Sequence, residues 1–266
     1  MREIGDGNAL LDIDGHHVDV WLNRPDKRNA INEGVIADLR AAIDEVGAIH
    51  EDEGLRAMTL LGKGPVFCAG MDMEMMYAAE QDRHDEFHVE LNELFTEIER
   101  VPVPTVAGIK KAAVAGAFEL ALPADFRVIG ADAAYGLRET KLGIFPSGGS
   151  TQRLPRLIGL SRAKDLVMRS DFVDPAEAED MGLVHEVVEP GTVDEEAQAL
   201  ADELATRAPL GMVKAKECLN AAFDVDLQEG LEMEHEGASA IWDTHDRREG
   251  FAAALEEREP EFTGER

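Results

Sequence analysis

Cysteine is scarce in this chain: Cys68 and Cys218 are the only two among 266 residues, and they form no CxxC pair. That excludes a disulfide framework and the common structural zinc arrangements, and it suits a reducing compartment. Long apolar runs are also missing, and none approaches the roughly 20 residues a membrane helix needs. The opening residues Met1–Asp6 are charged and lack the apolar centre of a secretion signal, so a cytoplasmic protein is expected. Basic residues are few: 26 Lys and Arg stand against 55 Asp and Glu, a formal net charge of −29. A surface of that sign repels nucleic acid and anionic lipid, which leaves neither as an expected partner. It also repels itself in dilute salt, whereas near molar salt the screening length shrinks to about 3 Å. The expectation is a halophilic protein from a salt-loaded cytoplasm, more stable by circular dichroism in molar KCl than in dilute buffer.

Enough apolar residues are present, 44% of the chain, for one sizeable core. Residues 17–22, HVDVWL, alternate as a strand does. Asn32 reads as the N-cap of a helix with Val35, Leu39, Ala42, Ile43 and Val46 on one side. Further strands are expected at Leu55–Leu61, Val103–Ile109, Phe126–Gly130 and Val184–Val188. Helices are expected around Phe87–Ile98, at Ala115–Leu122 and Ser161–Arg169, and after Asp174-Pro175. Beyond Pro190 four Ala- and Glu-rich helices are expected at 194–207, 210–222, 226–242 and 246–258. Strands and helices alternating to about residue 190, then helices alone, indicate an α/β core with a helical region behind it.

Three glycine-bearing stretches are candidates for chemistry. In Gly64–Asp72 a strand ends in a small-residue turn, and Gly70 lets the backbone expose the amide of Met71. Gly116 opens the expected helix Ala115–Leu122, where amides lack internal partners and a missing side chain admits a ligand oxygen. Two such amides make a site for developing negative charge; a plain turn is the competing reading. The stretch Gly143–Thr151 lacks the lysine of a phosphate-binding P-loop and is expected to be a structural loop entering a helix.

One carboxylate stands in an apolar stretch, Glu119 in AAVAGAFELALP (112–123). Burying it costs several kcal/mol, on the order of what a lost ion pair costs, unless it is paired, hydrogen-bonded or protonated. It follows Gly116 by three residues, so on a helix it stands over the same first turn. Glu139 is a second candidate, although Arg138 and Lys141 beside it also suit an ordinary surface ion pair. Two carboxylates facing one cleft can divide acid and base roles.

These stretches, with LNRPDKRNAIN (22–32), GPVFCAGMDMEMM (64–76), YGLRETKLGIFPSGGSTQRL (135–154), AEDMGLVHEVV (178–188) and DRREGFAAALEEREPEF (246–262), resemble the crotonase superfamily, the enoyl-CoA hydratase/isomerase family. The resemblance implies a crotonase-like spiral of ββα units over residues 1–195, holding the active site. Residues 196–266 would be a helical region for trimer assembly and active-site cover, with trimers commonly paired into hexamers. It implies oxyanion amides at Met71 and Gly116, catalytic carboxylates at Glu119 and Glu139, and an acyl-CoA substrate contacted by Lys27, Arg28, Ala69 and Asp72. CoA belongs to the substrate, and neither metal nor separate cofactor is expected. Both glutamates together suit a trans-2-enoyl-CoA hydratase. The alternatives within the fold are a Δ3,Δ2-enoyl-CoA isomerase, a hydrolase or a decarboxylase. A non-catalytic acyl-CoA binder and an RNA-associated relative fit less well, given the paired acids and the charge. The chain departs from the family pattern where Ala115-Gly116-Ala117 replaces a GGG run, where Glu74 replaces a lysine, and where Ser147 and Ser150 replace residues commonly glycine.

Overall fold

A strand with every residue buried needs cover on both faces, and His17–Leu22 is such a strand. The computed structural model describes residues 1–265 and provides that cover. Nine strands form among the described residues: β1 (Arg2–Ile4), β2 (Ala9–Asp14), β3 (His17–Leu22), β4 (Ala57–Gly62), β5 (Thr105–Ile109), β6 (Ala112–Val114), β7 (Phe126–Gly130), β8 (Ala134–Gly136) and β9 (Glu186–Val188). Seven make one sheet in the order β1-β2-β3-β4-β5-β7-β9, antiparallel up to β3 and parallel from there on. The helices are α1 (Glu33–Glu53), α2 (Met73–Ala78), α3 (Gln81–Glu99), α4 (Gly116–Ala121), α5 (Ser150–Ile158), α6 (Leu160–Arg169), α7 (Pro175–Asp180), α8 (Val193–Ala205), α9 (Pro209–Ala221), α10 (Leu227–Ile241) and α11 (His245–Glu256).

The apolar faces of α1 and α3 share the larger core with one side of the sheet. The other side packs Leu10, Trp21, Leu61, Val106 and Val128 against Ala197, Ala201 and Ala205 of α8. Alanine at every fourth residue lets that helix lie close, and Gly108 leaves it room: a Cβ there would stand 3.2 Å from the Ala197 Cβ. The expected boundary at 195/196 therefore falls inside α8, and the sheet's cover runs on to Ala205. Helices α9 to α11 leave Leu219, Phe223, Leu227, Trp242, Phe251 and Leu255 exposed.

The second layer is small and places the site. β6 and β8 pair in parallel, with Ala113 opposite Tyr135 and Val114 opposite Gly136. Single bridges extend it, Cys68 to Ala113, Ile31 to Met71 and Tyr135 to Val173. Met71 and Gly116 each lie three residues beyond the Cys68–Ala113 bridge. Arg138 and Glu139 follow shortly after the Val114–Gly136 pair that ends the ladder. The chain segments bearing Met71, Gly116 and Glu139 thus leave one edge of this layer together.

Candidate active site

That edge opens into a cavity of about 620 Å³ whose lining includes Ala69, Met71, Gly116, Glu119 and Glu139. The opposite wall is largely apolar, from Met76, Phe87 and Leu91 to Ile144 and Phe145.

The amide of Met71 is left over from the bridge that holds its segment. Ile31 donates to the Gly70 carbonyl and Asp72 donates to the Ile31 carbonyl, 2.8 Å each, so the amide between them takes no part. Gly70, at φ 105°, makes this turn possible; a Cβ there would stand 2.7 Å from the Val114 carbonyl oxygen. The Gly116 amide begins α4 and has no acceptor one turn back. Neither amide has a hydrogen-bond acceptor among the described residues. Ala115 precedes Gly116 at φ 54° and ψ −122°, a conformation rarely adopted by a residue with a side chain. It is held there by its amide's 2.9 Å hydrogen bond to the Gly136 carbonyl.

Both carboxylates are buried, Glu119 to 3% exposure and Glu139 to 5%. Glu119 Oε1 accepts from the Ser150 amide at 3.2 Å. A Cβ at Gly148 would stand 2.8 Å from Glu119 Oε2, so that glycine lets the loop close over the acid. Burial pushes the Glu119 carboxyl up to about 7 and the neighbouring Glu139 adds to this, while the Ser150 and Gly148 amides and the nearby Ser150 hydroxyl oppose it. Glu139 opens a short 3-10 turn, Glu139–Leu142, and its Oε2 accepts from the Arg138 amide at 2.7 Å. Its Oε1 is buried without a partner. Burial raises this carboxyl too, opposed by its own amide and that of Arg138. Two nearby buried acids ionise less readily together than either would alone.

The loop Gly143–Thr151 is thus more than a connection into a helix. The anion at the N-terminus of α5 is the protein's own Glu119, drawn there by unpaired amides. Asn92 of α3 pins this loop through the Ser147 carbonyl at 3.2 Å. Asn29 also escaped the sequence reading. Its side-chain amide reaches the carbonyls of Lys63, Val66 and Phe67 at 2.9–3.0 Å, tying the 24–31 loop to the turn before Gly70. A buried asparagine in a loop rich in charged residues was the available signal.

The proposed CoA contacts fare unevenly. Ala69 lines the cavity, and its amide donates to the Arg28 carbonyl at 3.0 Å. Lys27 and Arg28 are exposed outside the lining, with Lys27 Nζ 3.5 Å from Glu74. Asp72 is committed elsewhere. It pairs with Arg24 at 2.7 Å and caps α2 through the Glu74 and Met75 amides, and Arg24 holds its carboxyl below the usual range. Among the described residues, no three His, Cys, Asp or Glu side chains gather as a metal-binding cluster.

The family model described as enoyl-CoA hydratase/isomerase matches residues 16–265. The chain belongs to the enoyl-CoA hydratase/isomerase family. A probable mitochondrial enoyl-CoA hydratase 2 of Arabidopsis thaliana is 35% identical over 258 residues, which span 97% of this chain and 85% of that protein. The mitochondrial methylglutaconyl-CoA hydratase of Mus musculus is 36% identical over 92% of this chain and 78% of its own. The crystal structure of an enoyl-CoA hydratase from Bacillus anthracis superposes with a TM-score of 0.91 at 33% identity, covering 97% of this chain and all of that one. The fold is therefore the crotonase fold, and the chain is an enzyme of that family. Among the described residues no helix is long and apolar enough to cross a membrane.

Proposed function

We propose that the protein is a hydratase that adds water across the double bond of a trans-2-enoyl-CoA to give a 3-hydroxyacyl-CoA. The observation that carries this reading is the meeting, in one cavity, of two buried carboxylates with two unclaimed backbone amides. The Met71 and Gly116 amides receive the thioester oxygen, and their hold strengthens as that oxygen gains enolate charge. Ionised Glu119 takes a proton from water as its oxygen bonds to the β-carbon, and the π electrons move toward the thioester oxygen. Collapse of the enolate takes a proton at the α-carbon from Glu139. Atoms balance when the proton on Glu119 returns to Glu139 through water. Dehydration runs the same steps backward from the state with the proton on Glu119.

CoA enters as part of the substrate, and no other cofactor takes part. Lys27 and Arg28 hold its phosphates from the loop beside the cavity, which the Ala69 amide ties to the Arg28 carbonyl. The exposed apolar side chains of α9 to α11 support assembly through the helical region, as a homotrimer or a hexamer.

The test is to offer the purified protein a short and a long trans-2-enoyl-CoA in molar salt and follow the conjugated thioester absorbance. Loss of absorbance with either supports hydration. Turnover of a 3-enoyl-CoA alone moves the assignment to an isomerase.

A further inference from the structure

Ser150 does more than lend a backbone amide. Its side-chain hydroxyl is completely buried and lacks a hydrogen-bond partner among the described residues. An unsatisfied buried hydroxyl costs free energy, and a hydroxyl can turn about its side-chain bond to find an acceptor. The nearby acceptor is the Glu119 carboxylate, whose Oε1 already takes the amide of the same residue at 3.2 Å. The surroundings of Glu119 offer few other donors. α3 presents the Phe95 ring to the Gly148 backbone beside it. Arg153 of α5 is turned away to Glu99 at 2.8 Å and to the Gly148 carbonyl. The charged group acting on Glu119 is Glu139, itself short of a donor at Oε1.

We propose that Ser150 is a positioning residue for Glu119: its hydroxyl turns to donate to Glu119 when that carboxylate is ionised, holding it ready to take a proton from water. Amide and hydroxyl together then give Glu119 two donors from one residue. Hydration requires that ionised form, because Glu119 must accept a proton from water. The inference rests on the hydratase reading for its consequence, but not for its geometry. A donor to a carboxylate stabilises the ionised form and lowers the pH at which it titrates. Without the hydroxyl, Glu119 holds its proton to higher pH and the hydration-competent form becomes rarer.

The test uses Ser150→Ala, Ser150→Gly and Ser150→Thr in the full chain, compared with wild type. Carbon-13 NMR of glutamate-labelled protein, with Glu119→Gln to assign the signal, follows the carboxyl titration and needs no turnover. The expected result is an upward shift of about half to one pH unit in both the Ala and Gly variants, with Thr returning toward wild type. In hydration the acid limb of the kcat/KM profile moves by the same amount. At neutral pH kcat falls roughly two- to fivefold while KM stays within about twofold. A packing role alone would separate Gly from Ala and leave the titration in place. An unmoved Glu119 titration in a folded Ser150→Ala variant overturns the proposal. A wild type that fails to hydrate any 2-enoyl-CoA overturns the hydratase reading instead, and the titration still decides on Ser150.

Discussion

The side chain of Met71 occupies the space that a Cβ on Gly116 would need: the Met71 Cε lies 2.2 Å from that point and its Sδ 3.1 Å. The two residues whose amides are left unclaimed therefore also pack on one another, each three residues beyond the Cys68–Ala113 bridge. The missing side chain at 116 is needed by its neighbour as much as by a ligand.

Gly116→Ala follows directly. The clash is with the free end of a flexible side chain, so the fold should survive while Met71 is pushed aside and the two amides part. Hydration should drop by roughly 10²-fold, the loss expected when one oxyanion donor is misplaced. Thermal unfolding should change far less than turnover. Steady-state kinetics beside a melting curve checks this, and an active Gly116→Ala enzyme removes the amide pair from the account.

Glu119 should cost stability where it supports chemistry. Its carboxyl titrates at about 7 in the folded chain against an ordinary 4.5. Between those values the unfolded chain gives up the proton first, so stability falls as pH rises through that window and is level above it. Glu119→Gln removes this loss. Relative to wild type it should gain little near pH 4.5 and on the order of 3 kcal/mol at pH 8. Denaturant unfolding at both pH values measures it; an equal difference at the two would contradict the buried-acid account.

His17 should act with the opposite sign. Its Nδ1 lies 2.7 Å from Asp202 and its Nε2 3.3 Å from buried Asp19, joining β3 to α8. The hydrogen bond with Asp19 lifts the imidazole to about 9, against the opposing effect of burial. That stabilisation is complete below about 6.5, the unfolded value, and is lost as pH rises through 9. His17→Gln should be less stable than wild type by roughly 1–3 kcal/mol at pH 6.5, with the gap closing by about pH 10. A gap independent of pH would assign His17 to packing alone.

Much of this was legible in the sequence, for physical reasons that vary by element. HVDVWL and Phe126–Gly130 form strands at the expected residues because apolar, β-branched runs suit buried strands. Asn32 caps α1 through the Val35 amide at 3.0 Å, and Asp174 caps α7 with Pro175 at its first position. The strands β1 and β6 escaped notice because three residues are too few to display a period of two. The docking of α8 on the sheet was not legible, since its alanines read like those of a solvated helix. Glu119 and Gly116 could be found because an acid in an apolar run and a glycine at a helix start are local signals. The closure of Gly148 and Ser150 over Glu119 joins positions some thirty residues apart, and no local pattern encodes it.

The central claim is that two buried acids beside two free amides add water to an enoyl thioester. Its most direct measurement compares Glu119→Gln and Glu139→Gln with wild type, for hydration of a trans-2-enoyl-CoA and for binding of the saturated acyl-CoA. The account predicts that each variant loses roughly a thousandfold or more in kcat while the binding constant changes only a few-fold. Turnover near the wild-type rate in either variant would contradict it.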